Sequence, residues 1–230
     1  MTEPLTLPGI EPLSVAMLLY PGFTLLDLIG PQSVLCWAGT IHLVAKTMEP
    51  VTSDSGAQLV PTCTLADCPR DLDVLFVPGG FGTFAAMQDR ELLAFLADRG
   101  ARAGSITSVC SGALILGAAG LLQGYRSTTH WALHDALPAL GAVPVKQRVV
   151  VDRNRISGGG VTAGIDFGLV LLAQLRGEES AKLVQLMMEY DPAPPFAAGT
   201  PEQAGPALTE RALALMGAAA PTADAPPARA

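Results

Sequence analysis

The sequence is short of charge, of aromatic side chains and of histidine. Only 15% of its 230 residues are Asp, Glu, Lys or Arg, against about 25% in an ordinary domain. Acids outnumber bases by 21 to 14, a net charge of −7. A chain of that sign repels a phosphate backbone, so general nucleic-acid binding is excluded as its function. The four cysteines, Cys36, Cys63, Cys68 and Cys110, match neither a disulfide framework nor a zinc spacing, and no histidine neighbours Cys63 and Cys68. No metal site is expected. No run of about 18 apolar residues offers to cross a membrane. The opening MTEPLTLPGIEP carries acids and prolines where a secretory leader has basic residues. These absences point to a soluble protein of a reducing, cytoplasmic compartment.

What the chain does have is apolar side chains, 50% of the total. That fills one large core and leaves surface for a subunit interface, so a homodimer is expected, with the apolar segment 24–39 as a candidate contact. Residues 1–10 read as a flexible arm, 11–200 as a single α/β domain, and 201–230 as a helix fragment followed by a disordered Ala/Pro-rich tail from about residue 217.

Along the domain, apolar runs of strand length alternate with helical periodicity. LSVAMLLY (13–20), TIHLVAKT (40–47), LDVLFVPGG (72–80), SITSVC (105–110) and RSTTH (126–130) read as strands, residues 51–64 as a hairpin, and residues 149–160 as two strands about an Asp-Arg-Asn turn. Helices are expected over 24–39, with Pro31 awkwardly inside, and over 89–104, 111–122, 131–140, 162–177 and 178–190. Such alternation predicts an open, mostly parallel sheet with helices on both faces. Ligands on such sheets sit beyond the carboxyl ends of the strands, which directs attention to 21–27, 79–83, 110–112 and 158–162.

Cys110 is the most informative of these residues. It ends an apolar strand and precedes an apolar helix, with Ser108 two before it and Gly112 two after. Small neighbours let the chain turn sharply and lift the central side chain, the arrangement of a nucleophile elbow with Cys in place of Ser. The following helix is expected to lower the thiol pKa through its free N–H groups and dipole. A buried structural cysteine at a tight turn is the alternative. No histidine follows directly, because Ser111 does. Asp27, within LLDLIG, is either an exposed helix-start carboxylate or a buried one with a raised pKa, able to hold and deliver a proton. His130 ends a strand and reaches toward the same rim, either as a base or as a structural hydrogen-bonder. The turn Pro78-Gly79-Gly80-Phe81-Gly82 offers backbone N–H groups to a developing anion. Gly158-Gly159-Gly160-Val161-Thr162-Ala163 matches a dinucleotide fingerprint, but only helical sequence follows. Close packing of helix on sheet explains it better.

Five separated segments carry a resemblance: YPGFTLLDLIGP, VPGGFGT, the long stretch TSVCSGALILGAAGLLQGYRSTTHWALHDALPALGAVPV, ISGGGVTAGIDFGL and MMEYDPAPPF. Together they resemble the PfpI-like superfamily of class I glutamine-amidotransferase-like folds and, within it, the isocyanide hydratases. The resemblance spans about Leu13 to Gly199. It implies a flavodoxin-like three-layer sandwich, a dimer, and no metal or organic cofactor. It gives Cys110 the place of the nucleophile and Asp27 that of its acidic partner. Gly79, Gly80 and Ser111 take the place of the anion pocket, with His130, Val161 and Thr162 as supporting candidates. Ser111 stands where protease-like members have His, which counts against peptidase activity. The implied reaction adds water to a small apolar isocyanide and gives an N-substituted formamide through a Cys110 thioimidate. Two other readings stay open: a glyoxalase- or amidase-like enzyme using the same cysteine, and a ligand- or redox-sensing domain. The Pro- and Ala-rich sequence after Tyr190 carries no basic DNA-binding segment, which counts against a transcriptional regulator.

Overall fold

The computed structural model describes residues 6–9 and 11–219, in two units divided after Tyr190. The first unit is built on seven strands: β1 (Leu13–Leu18), β2 (Gly39–Ala45), β5 (Cys63–Thr64), β6 (Val74–Val77), β7 (Ser105–Val109), β10 (Val149–Asp152) and β11 (Arg155–Gly158). They lie in the order β10-β11-β7-β6-β1-β2-β5. All neighbours are parallel except β10 and β11, which form an antiparallel hairpin at one edge. The central strands β6 (VLFV) and β7 (SITSV) are buried at every residue, as a parallel sheet covered on both faces requires. The edge strand β10 has one buried residue in four. Two short pairs complete the strands: the antiparallel hairpin β3 (Val51–Thr52) and β4 (Gln58–Leu59), and the parallel pair β8 (Arg126–Ser127) and β9 (Val143–Pro144).

Six helices surround the sheet: α1 (Leu25–Leu35), α2 (Thr83–Ala86), α3 (Arg90–Gly100), α4 (Gly112–Ala118), α5 (Ala163–Arg176) and α6 (Glu178–Met187). The helices α1, α5 and α6 pack together, and α4 packs with α2 and α3 against β6 and β7. The mostly parallel α/β fold read from the sequence is therefore the one observed. The core runs through the sheet from Met17 and Leu75 to Phe76 and Phe167, whose rings lie 5.7 Å apart. Each such side chain contributes about 1.5–3 kcal/mol relative to exposure. Local chemistry sets the start of α3: the Asp89 carboxylate accepts from the Glu91 and Leu92 N–H groups at 3.1 and 3.2 Å.

Several expectations are corrected. The segment 131–140 is not an α-helix but two 3₁₀ turns, Trp131–Ala136 and Pro138–Leu140, because Pro138 has no N–H to continue the ladder. Cys63 and Thr64 leave the expected hairpin and extend the main sheet beside β2. The strand expected over 126–130 is only two residues long. Pro31 is accommodated inside α1, where it leaves the Asp27 carbonyl without its usual helical donor. Leu7, within the segment read as a free arm, is buried and donates its N–H to the Trp37 carbonyl. In the second unit, α7 (Pro201–Ala204) follows a Thr200 cap, and α8 (Pro206–Ala219) carries helix past residue 217. The rest of the tail read as disordered, from residue 220, lies outside the described residues, as do residues 1–5 of the arm.

Candidate active site

Cys110 stands at the junction of β7 and α4 with φ +55°, in the left-handed region that non-glycine residues rarely adopt. That conformation costs about 1–3 kcal/mol and persists only where the surroundings hold it. Here they do. The Cys110 N–H is shared between the carbonyls of Gly158 (3.1 Å) and Gly159 (2.7 Å), and its own carbonyl accepts from Thr129 Oγ1 at 2.8 Å. A Cβ on Gly112 would lie 2.1 Å from the Val77 carbonyl oxygen, so only glycine lets α4 start this close to β6. The elbow geometry read from the small neighbours is thus present.

Asp27 is fully buried in the first turn of α1. Its Oδ2 accepts from the Gly79 N–H at 2.9 Å, while Oδ1 has no partner of ordinary hydrogen-bond geometry. Burial pushes the carboxyl pKa up to about 7; the Gly79 N–H and the nearby Cys110 thiol oppose that rise, and the Asp54 carboxylate adds to it. The turn between β1 and α1 is pinned so that Asp27 stays there. Phe23 bridges Gly80, the Thr24 N–H donates to the Gly79 carbonyl (2.7 Å), and the Gly22 N–H donates to Thr52 (2.9 Å).

The thiol does not follow the sequence expectation. Burial, and then the Asp27 carboxylate beside it, push the Cys110 thiol well above its ordinary value, against the opposing pull of the Ser111 N–H and, more weakly, of the Ser111 hydroxyl, which is within reach of the sulfur when its proton turns that way. The helix read as lowering it, α4, is seven residues long, and its end effect does not outweigh the loss of water around a side chain only 6% exposed.

The glycine turn also differs in detail. The Gly79 N–H is committed to Asp27 and the Gly80 N–H to Ser111 Oγ (2.9 Å). Gly79 acts by being small: a Cβ there would lie 2.5 Å from the Ser111 nitrogen and 2.9 Å from Asp27 Oδ2. Cys110, Asp27, Gly79, Gly80 and Ser111 are therefore brought together. His130 is not bonded to that cluster. Its Nδ1 accepts from the Ala132 N–H (3.4 Å), capping the 3₁₀ turn, and burial lowers its pKa. Val161 and Thr162 form the turn into α5, where Arg148 donates to the Thr162 carbonyl (3.1 Å). Neither bonds to Cys110 or Asp27. The residues missed in the sequence are Tyr20, Thr83 and Thr129, hydroxyls buried behind the elbow, and Asp54, which accepts from Thr24 Oγ1 at 2.5 Å. Their partners lie 19 to 63 residues away in the chain, and no local pattern marks them. Among the described residues no three His, Cys, Asp or Glu side chains gather as metal ligands would, and no helix is long and apolar enough to cross a membrane.

The profile of the DJ-1/PfpI family matches residues 13–174, which contain every element of this site. The chain belongs to the DJ-1/PfpI family. Among its relatives in the family is the isonitrile hydratase of Pseudomonas putida, 54% identical over 202 residues that cover 87% of this chain and 88% of that one. The crystal structure of a ThiJ/PfpI family protein from Pseudomonas syringae superposes with a TM-score of 0.88 at 55% identity, covering 93% of this chain and 89% of the other. A more distant likeness is to the HTH-type transcriptional regulator GbdR of Pseudomonas aeruginosa, 29% identical over 80% of this chain and 54% of the regulator. The DJ-1/PfpI fold thus accounts for the parallel sheet and for the place of the elbow at the end of β7.

Proposed function

We propose that this protein is an isocyanide hydratase, converting R–NC and water to an N-substituted formamide, with Cys110 as nucleophile and Asp27 as its proton partner. The observation that carries the reading is the buried pair itself: a strained cysteine beside a carboxyl held near pKa 7 with one oxygen unpartnered. Near-full-length identity of 54% to a hydratase supports the substrate class.

The pair is reactive when it holds one proton. The Asp27 carboxylate takes the thiol proton, and the thiolate adds to the terminal carbon of R–NC. Asp27 then gives the proton to that same carbon, forming the thioimidate R–N=CH–S–Cys110. Water adds to the imidate carbon as Asp27 accepts one of its protons and the nitrogen gains one. Collapse expels the Cys110 thiol and leaves R–NH–CHO. No external acid or base is consumed. Burial of both groups excludes bulk water from the first step and suits an uncharged, apolar substrate.

The protein acts as a homodimer in this reading. An open apolar cavity of about 350 Å³ lies along α1, lined by Thr24, Leu25, Leu26, Ile29, Asp54 and Ser55, and Leu26 is 42% exposed. Such a surface beside the site is suited to a second copy. Incubation with cyclohexyl isocyanide, with the product identified by mass spectrometry, tests the function. N-cyclohexylformamide is expected, with methylglyoxal left unconsumed. Loss of methylglyoxal without formamide favours the glyoxalase-like alternative, and inertness toward both favours the ligand- or redox-sensing alternative.

A further inference from the structure

Behind the Gly79–Gly80 turn runs a chain of buried hydroxyls that the reaction above does not use. The Tyr20 hydroxyl donates to the Pro78 carbonyl at 2.9 Å and lies 3.2 Å from Thr83 Oγ1. Thr83 Oγ1 is 2.7 Å from Ser111 Oγ, which accepts from the Gly80 N–H at 2.9 Å. All three side chains are buried, at 2%, 0% and 4% exposure, so their protons must find partners within the chain.

The direction of these bonds follows from what each group can do. A carbonyl only accepts, so the one phenolic proton of Tyr20 goes to Pro78. The Tyr20 oxygen is then the acceptor in its contact with Thr83, which turns the Thr83 proton toward Tyr20. Thr83 in turn accepts the Ser111 proton. In this arrangement every contact of 3.2 Å or less holds one hydrogen. Reversing it leaves the Tyr20–Thr83 contact without a hydrogen and leaves the Ser111 proton a choice between the Gly80 carbonyl, at a long 3.5 Å, and the Cys110 sulfur.

We propose that Tyr20, through Thr83, holds the Ser111 hydroxyl proton turned away from Cys110, so that only the Ser111 backbone N–H serves the sulfur. Tyr20 and Thr83 are positioning residues for the cysteine. Their effect is to keep the mobile proton within the Asp27–Cys110 pair. A hydroxyl donor on the sulfur would stabilise thiolate at rest and make it a weaker nucleophile. The titratable group acting on Cys110 is Asp27, from α1; Tyr20, two residues past β1, is acted on by Asp27, Cys110 and Asp54. The proposal rests on the reading of Cys110 as the nucleophile, but its test reads the thiol alone.

The test follows carboxamidomethylation of Cys110 in the full chain against pH, resolved at the Cys110 peptide by mass spectrometry. In Tyr20→Phe the Thr83 proton turns to Ser111, and the Ser111 proton to the sulfur. One charge-assisted hydrogen bond lowers the apparent thiol pKa by about one unit, roughly tenfold more thiolate at a fixed neutral pH. Thr83→Val, close in shape, removes the acceptor of the Ser111 proton and is expected to shift the profile the same way. In a Ser111→Ala background neither substitution shifts it. The proposal is overturned if both single variants leave the profile in place or move it upward, or if the downward shift survives in Ser111→Ala. No isocyanide is present, so failure to hydrate one leaves this result standing, and the reverse holds too.

Discussion

Asp27 makes folding itself sensitive to pH, in the direction opposite to an ordinary carboxylate. Buried, it holds its proton up to about pH 7; in the unfolded chain it releases that proton near 3.8. Between these values folding takes up a proton. The stability Asp27 allows is therefore fully present below about pH 4 and declines as pH rises, levelling off above 7. The interval between 3.8 and about 7, at about 1.4 kcal/mol per pH unit, sets the size of the decline at roughly 4 kcal/mol, of the order of half of a typical domain's stability. Asp27→Asn keeps the shape and an oxygen to accept from the Gly79 N–H, but carries no charge at any pH. The assay is urea denaturation of both proteins from pH 4 to 8. The difference between them isolates Asp27 from carboxylates such as Asp89 and Asp152, whose pKa values are lowered by their partners and which stabilise in the opposite direction. The variant is expected to match the wild type near pH 4 and to exceed it by several kcal/mol at pH 8. Parallel curves, or a wild type that gains stability over the variant as pH rises, would refute the buried, proton-holding carboxyl.

Further outcomes follow from the same geometry. With isocyanide as substrate, kcat/KM is expected to rise through about pH 7, as the pair loses its first proton. Asp27→Asn should lose that limb and about 10² in rate, a usual general-acid contribution; a rate near wild type would move the proton role elsewhere. Gly79→Ala puts a methyl 2.5 Å from the Ser111 nitrogen, and is expected to cost about 1–3 kcal/mol in thermal or urea unfolding and about 10²-fold in turnover. An alanine tolerated without loss would mean that the close approach is not needed. Sedimentation at micromolar concentration is expected to give a dimer, and Leu26→Asp a monomer; a wild-type monomer would contradict the interface.

Much of this was legible in the sequence because it is local. Val74–Val77 is a buried strand whose apolar run reads directly, and Gly112 announces the tight turn after Cys110. The thiol was misread because the one local influence, a following helix, points the opposite way from the two decisive ones. Those are burial and the carboxylate of Asp27, brought from 83 residues away by the sheet order. Within LLDLIG nothing distinguishes a buried carboxyl from an exposed one, since the answer lies in the Gly79 N–H across the sheet end. Tyr20, Thr83 and Thr129 fall inside the segments that carry the resemblance, but nothing local assigns them a task, because it comes from partners distant in the chain. The helix expected over 131–140 failed for a local reason that was readable, the missing N–H of Pro138.

In the proposed reaction Cys110 forms a covalent bond with the isocyanide carbon. Rapid acid quench of the full chain during turnover of cyclohexyl isocyanide, followed by peptide mass spectrometry, tests it most directly. An adduct of one isocyanide on the Cys110 peptide is expected. A folded Cys110→Ala protein is expected to give no formamide, while Cys36→Ala, Cys63→Ala and Cys68→Ala keep most of the activity. Undiminished formamide production by Cys110→Ala would contradict the covalent step.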